Sequence, residues 1–187
     1  MKKNISLIQV LLVLMLSLGL MSGCGNEEVV PTSEKEVKVE NLEQEMAPDL
    51  YGMAAAEADQ ELTVEEMLTY AIQDEYLAHG EYAFILETFG SQNPFNNIIK
   101  AEEQHIASLK SVFQAQGMTI PEDLSGHYLI VPASVEEALE TGVQAEIDNI
   151  AMYERFLKEP LPEDVEALFI SLRDGSINHL AAFEGKL

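Results

Sequence analysis

Glu102-Glu103-Gln104-His105 is the stretch on which the fold turns. It is a Glu-x-x-His step inside a segment with a helical apolar pattern. Ile98, Ile99, Ile106, Leu109, Val112 and Phe113 recur at spacings of three and four and form one stripe. Glu102 and His105 fall on that stripe. A carboxylate and an imidazole therefore point at the core, where an unpaired charge is costly and a metal ion is a natural partner.

The neighbouring segments repeat the arrangement. A first helix opens at Thr63 with Glu66 three residues on, a capping-box pair, and stops at Gly90. Its stripe includes Met67, Leu68, Ala71, Ile72, Ala78 and Tyr82, and Glu75 lies on it. The second helix carries Glu102 and His105. It starts after a short turn, capped by Ser91 or by Asn93 with Pro94, and ends near Gly117. So short a turn makes the two antiparallel neighbours.

Residues 118–133 carry no helical stripe and are punctuated by Pro121, Gly126 and Pro132. They are long enough to run the length of a bundle. A third helix opens at Ser134 with Glu137 and places Glu146 among Ala138, Leu139, Gly142 and Tyr153. A fourth runs from about Glu163 to Phe183, with Ser176 and His179 on its apolar face. Gly175 inside that helix costs about 1 kcal/mol against alanine, so a close approach of backbone is expected there.

Each helix thus directs a ligand type inward: Glu75, then Glu102 and His105, then Glu146, then His179. The halves echo one another. Tyr82 follows Glu75 by seven residues, and Tyr153 follows Glu146 by seven. Ser176-x-x-His179 stands where the second helix has Glu102-x-x-His105. Such two-fold repetition builds a dinuclear site in which carboxylates bridge and imidazoles complete each sphere. Oxygen and imidazole donors suit iron or manganese, with zinc as a further occupant. Tyr82, Tyr153 and Ser176 are the groups placed to support the ligands from behind. An inward glutamate bonded only to a tyrosine hydroxyl is the simpler alternative. His79 and His127 fall on surface or loop.

The pattern resembles the ferritin-like superfamily, rubrerythrin relatives included. More closely it resembles the domain of unknown function 2202 family. The matching residues are Glu75-Tyr76-Leu77-Ala78 with Tyr82, Phe89-Gly90, Phe95, Asn97-Ile98 and Glu102-x-x-His105. In the second half they are Glu146 with Asp148, and Gly175-Ser176-x-Asn178-His179-Leu180 with Ala182-Phe183. The resemblance implies an all-α, ferritin-like four-helix bundle over residues 63–187, with the long crossover between helices 2 and 3. It also implies a di-iron carboxylate site acting on oxygen, peroxide or ferrous iron. Members with two full Glu-x-x-His motifs have a glutamate where this chain has Ser176, so one bridging carboxylate is missing. That departure favours the alternative of a non-enzymatic helical module with a degenerate or mononuclear site. Depth along the bundle matters too. A second helix beginning only at Pro94 would put Glu75 roughly 8–10 Å off the level of Glu102 at the helical rise.

Composition narrows the function classes. Lys+Arg number 10 against 33 Asp+Glu, a net charge of -23. Such acidity excludes a nucleic-acid footprint and suits attraction of cations. Cys24 is the one cysteine, which excludes a multi-cysteine zinc site and any Cys-x-x-Cys redox pair. An external electron donor is therefore expected if the site is redox-active. Lys2 and Lys3 precede an apolar run from Ile5 to Leu20, the layout of a secretory signal. Leu20-Met21-Ser22-Gly23-Cys24 resembles a bacterial lipobox, which implies a signal peptide over 1–23 and a lipid on Cys24. The expected location is extracytoplasmic, anchored to the cell membrane. Residues 24–62 are acidic, sparse in apolar residues and aperiodic to Met53, and read as a flexible tether.

Overall fold

The computed structural model describes residues 49–187. The expected signal segment, Cys24 and the expected tether as far as residue 48 lie outside them. Five helices follow in order: α1 (Met53–Ala58), α2 (Val64–Phe89), α3 (Phe95–Ala115), α4 (Val135–Phe156) and α5 (Glu163–Glu184). The described residues contain no strand, so the fold is an all-α bundle. No helix among them is long and apolar enough to cross a membrane.

Two apolar clusters give the direction of each helix. One gathers Met67 and Leu68 from the start of α2, Phe113 from the end of α3, Phe156 from the end of α4 and Val165 from the start of α5. The other gathers Ile85, Phe95, Leu139 and Phe183 from the opposite ends. The order is therefore up, down, down, up. The α3–α4 connection must travel the length of the bundle, and it does so over α2. Leu124 N–H donates to the Tyr51 hydroxyl, Tyr128 stacks on Tyr51 at 4.5 Å, and Ile130 N–H donates to Glu81.

Local signals fix several ends. Thr63 and Glu66 form the reciprocal capping box on α2. Gly90 stops that helix at φ 78°, ψ −172°, a region only glycine enters freely. Ser134 caps α4 by accepting from Glu137 N–H, but the Glu137 carboxylate accepts from Ala133 N–H, so the box is half formed. Neither Ser91 nor Asn93 caps α3. The helix begins at Phe95 after a cis Asn93–Pro94 bond, and the Ser91 hydroxyl accepts from the Asn96 side chain.

Residues 49–62, expected to belong to the tether, are folded onto the bundle. Tyr51 and Ala56 are buried. Gly52 N–H donates to Gln73 and Met53 N–H to Asp74. The Arg155 guanidinium donates to the carbonyls of Ala56 and Asp59, and the Tyr70 hydroxyl to the Asp59 carboxylate. These polar bonds add to the burial of Tyr51 and Ala56, and a hydropathy pattern does not register them. Arg155→Ala should therefore release α1, costing about 1–3 kcal/mol. Limited proteolysis within residues 49–62 should become faster while the four long helices persist by circular dichroism.

Candidate metal centre

The inward polar residues meet between the two apolar clusters. Glu75, Glu102 and Glu146 are 1%, 2% and 3% exposed, so their charges must be answered inside the protein. Glu102 occupies the middle. One of its oxygens lies 3.0 Å from His105 Nδ1 and the other 3.1 Å from His179 Nδ1. Glu75 Oε2 is 3.1 Å from His105 Nδ1, and Glu146 Oε1 is 3.4 Å from His179 Nδ1. The imidazoles stack with centroids 5.6 Å apart. Two groups result, Glu75–Glu102–His105 and Glu102–Glu146–His179, each offering one donor atom per residue, all within 4.8 Å of one another. Either group could hold a metal ion, and Glu102 belongs to both.

The tyrosines cross over. Tyr153 of α4 donates to Glu75 Oε1 of α2 at 2.7 Å, and Tyr82 of α2 donates to Glu146 Oε1 of α4 at 3.0 Å. Burial first, then the adjacent carboxylates, pushes both phenols well above their usual range, so they remain donors. The bonds to tyrosine and the inward clustering thus occur together. Glu75 gives one oxygen to tyrosine and keeps Oε2 for the centre. Glu146 Oε2 is buried without a hydrogen-bond partner, an orphaned acceptor that a cation would satisfy.

Gly175 has its reason here. A Cβ on it would lie 2.7 Å from His105 Cε1, so the imidazole packs directly on the α5 backbone. Ser176 is buried beside it and brings no carboxylate. Asp148 accepts from Gln144, and Asp174 pairs with Arg173; neither joins a ligand group. His79 lies 3.8 Å from Glu103, and His127 sits in a 3-10 turn.

The level mismatch expected for an α3 that starts late does not arise. Glu75 and Glu102 both reach His105 although the helix begins at Phe95. Residues 90–94 are not helical, so the connection is not bound to the helical rise and takes up the offset. Asn149 is a residue that the apolar pattern passed over. It is buried with Oδ1 unpartnered. Its signal was present, since Glu146-x-x-Asn149 repeats the spacing of Glu102-x-x-His105.

Without metal the cluster holds protons. Burial alone would lower the His105 imidazolium, but hydrogen bonds to Glu102 and Glu75 outweigh it and raise it to about 10. The same balance, with Glu102 and Glu146, raises His179 to about 9. Burial would raise Glu102, yet its bonds to both histidines and to Glu75 hold it below the usual carboxylate range. Burial pushes Glu75 and Glu146 up. The histidines are raised in the folded state, so their stabilisation is full below about 6.5 and is lost as pH climbs through about 9 and 10. Glu102 acts oppositely: its contribution is present above the normal glutamate range and lost as pH falls through its depressed value. Melting in chelator should show Tm falling from neutral pH towards pH 10. Ligation through Nδ1 also requires each imidazolium to lose its proton. Metal binding near pH 7 should therefore release about one proton per histidine, read by calorimetry in buffers of different ionisation enthalpy.

Comparison with known proteins adds fold alone. No family model and no curated protein matches the chain. The structure of hypothetical protein MJ0754 from Methanococcus jannaschii DSM 2661 is similar at a TM-score of 0.58 and 22% identity. The match covers 67% of this chain and 81% of that one. This likeness is one of fold. An all-helical architecture of this kind occurs in a second sequence that shares few residues with it.

Proposed function

We propose that this chain is a ferritin-like protein, tethered outside the cytoplasm by a lipid on Cys24, whose bundle holds a dinuclear metal centre. The single observation that carries the reading is Glu102, buried between two histidines with one oxygen directed to each. Glu75, Glu102 and His105 would hold one ion, and Glu102, Glu146 and His179 the other. Iron is the preferred occupant, with manganese or zinc as substitutes, because the donors are carboxylate oxygen and imidazole nitrogen. Bound iron would supply redox chemistry at open coordination positions, towards oxygen, peroxide or further ferrous iron.

The protein's own groups do the rest. Tyr82 and Tyr153 hold Glu146 and Glu75 by one oxygen and so orient the other. Gly175 lets the Cε1–Nε2 edge of His105 come close to α5. The apolar clusters above and below limit water. With no Cys-x-x-Cys pair in the chain, a redox cycle would draw electrons from an external donor.

The test is metal content. Full-length chain purified in detergent, loaded anaerobically with ferrous iron and passed through a desalting column, should retain about two irons. A second reading rests on Ser176, which leaves Glu102 as the one residue shared by both groups. A non-enzymatic surface module would retain no iron, and a mononuclear site would retain a single zinc.

A further inference from the structure

The outer face of α5 reads the same in both directions. Ala167, Ile170, Asp174, Ile177 and Ala181 follow one another at alternating steps of three and four, so they share one stripe of the helix. All five are exposed, while Leu172, Ser176 and His179 on the opposite face are buried. Glu163 and Glu184 close the stripe at its two ends, both exposed. The order is therefore acid, alanine, isoleucine, acid, isoleucine, alanine, acid.

The bundle itself gives the two isoleucines no partner. Ile170 is 38% exposed and Ile177 45%. Single exposed apolar side chains are ordinary. Two on one stripe, two turns and about 10 Å apart, with small residues beyond them, form a seam that a second helix can approach closely. The exposure is also one-sided. Among the described residues, the large apolar side chains exposed on the long helices are Ile147 of α4 with Ile170 and Ile177 of α5; α2 and α3 expose none.

A palindromic stripe fits its own copy. Two-fold symmetry needs the same patch on both subunits, with residue i meeting j and j meeting i. Let α5 of a second copy run antiparallel, with the axis between residues 173 and 174. Ile170 then meets Ile177 in both halves, and the alanines meet near each end. The same axis sets Arg173 opposite Asp174. Within one chain Arg173 Nη2 lies 2.7 Å from Asp174 Oδ1, with the side chains 29% and 56% exposed, so both remain accessible to a further partner. In the pair, two arginines and two aspartates alternate about the axis and cancel. Charge thus selects the partner and its direction. A parallel copy would set Asp174 on Asp174 and Arg173 on Arg173. A chain with 33 acids against 10 bases repels its own copy wherever a contact lacks a base; here Arg173 stands at the middle of the apolar stripe.

We propose that the outer face of α5 is the surface through which two copies of this chain pair, antiparallel about an axis between Arg173 and Asp174. The pairing is independent of the metal-centre reading, since the candidate ligand of α5, His179, is on the buried face. One helix face per chain is less than the about 1,200–2,000 Å² of a stable interface. The dimer is therefore weak and reversible, with a dissociation constant on the order of tens of micromolar.

The full-length chain in density-matched detergent, with micelles in excess, is followed by sedimentation equilibrium up to about ten times that concentration. Salt of about 0.15 M shortens the reach of the general repulsion to about 8 Å. The wild type should fit a monomer–dimer equilibrium. Ile177→Asp and Arg173→Asp should each weaken it at least about tenfold, with helix content and melting kept, because neither side chain is buried. Adding Asp174→Arg to Arg173→Asp restores the opposed charges and should restore the dimer. Ile130→Asp, an equally exposed apolar position on the crossover, should pair as the wild type does. A wild type that stays monomeric throughout would overturn the proposal. So would a dimer that survives Ile177→Asp, which would run through another face, or one lost equally in Ile130→Asp, which would be unspecific. A double exchange no better than Arg173→Asp alone would overturn the antiparallel register.

Discussion

Glu102→Gln should remove both metal positions at once, where Glu75→Gln or Glu146→Gln removes only one. Glu102 is the residue common to the two ligand groups, and an amide is a poor substitute for a bridging carboxylate. The metal-free protein should suffer as well. At pH 7 Glu102 is the ionised partner of two imidazolium groups, at 2% exposure, where solvent screening is slight. Removing one member of a buried ion cluster costs about 3–5 kcal/mol, because the remaining charges are left unanswered. Urea unfolding in chelator at pH 7 should show that loss, and it should shrink towards pH 10, where the wild-type histidines also lose their protons. Iron content by elemental analysis should fall from about two per chain to well below one. A Glu102→Gln protein that still holds two irons would sink the shared-carboxylate reading.

Gly175→Ala gives the second large effect, and its sign opposes helix propensity. In an open helix the exchange would stabilise by about 1 kcal/mol. Here the new methyl would lie 2.7 Å from His105 Cε1 and 2.8 Å from Nε2. Nothing allows so short a contact, so the ring must move away from α5. Overpacking of this kind costs about 1–3 kcal/mol. The displaced ring also carries Nδ1 away from Glu75 and Glu102, which dismantles the first ligand group. The second group, built on His179 and Glu146, is untouched. The variant should therefore melt lower and bind one ion where the wild type binds two. Thermal melting with and without metal, with metal counted by native mass spectrometry, reads both. Unchanged melting and two retained ions would show that His105 does not need the glycine.

The apolar stripes told in advance which face of each helix carries chemistry. Glu75, Glu102, Glu146 and His179 are all buried, as their positions among Ile72, Ile106, Leu139 and Leu172 require. Gly175 was legible as a close approach because a helix-interior glycine needs a reason. The partner of that approach was not legible, since His105 is seventy residues away in sequence. The crossed tyrosine bonds were equally hidden. Spacing of seven pairs Tyr82 with Glu75 and Tyr153 with Glu146 along one helix, yet each hydroxyl serves the glutamate of the other helix. Residues 49–62 look like tether because carbonyl bonds to Arg155 leave no hydropathy pattern.

Sequence alone determined the number of long helices, their inward faces, most of their caps and the residue types at the centre. Those properties follow from a period of 3.6 residues and from caps that act within four residues, so neighbours along the chain suffice to set them. Tertiary structure alone decided the depth at which the ligands meet and the sharing of Glu102 by two histidines. Depth depends on the rise through residues 90–94 and 116–134, whose backbone is not periodic. Sharing depends on where two hairpins, each formed locally, come to rest against one another. That resting place is set by side-chain volumes from all the helices together, among them Gly175 under His105.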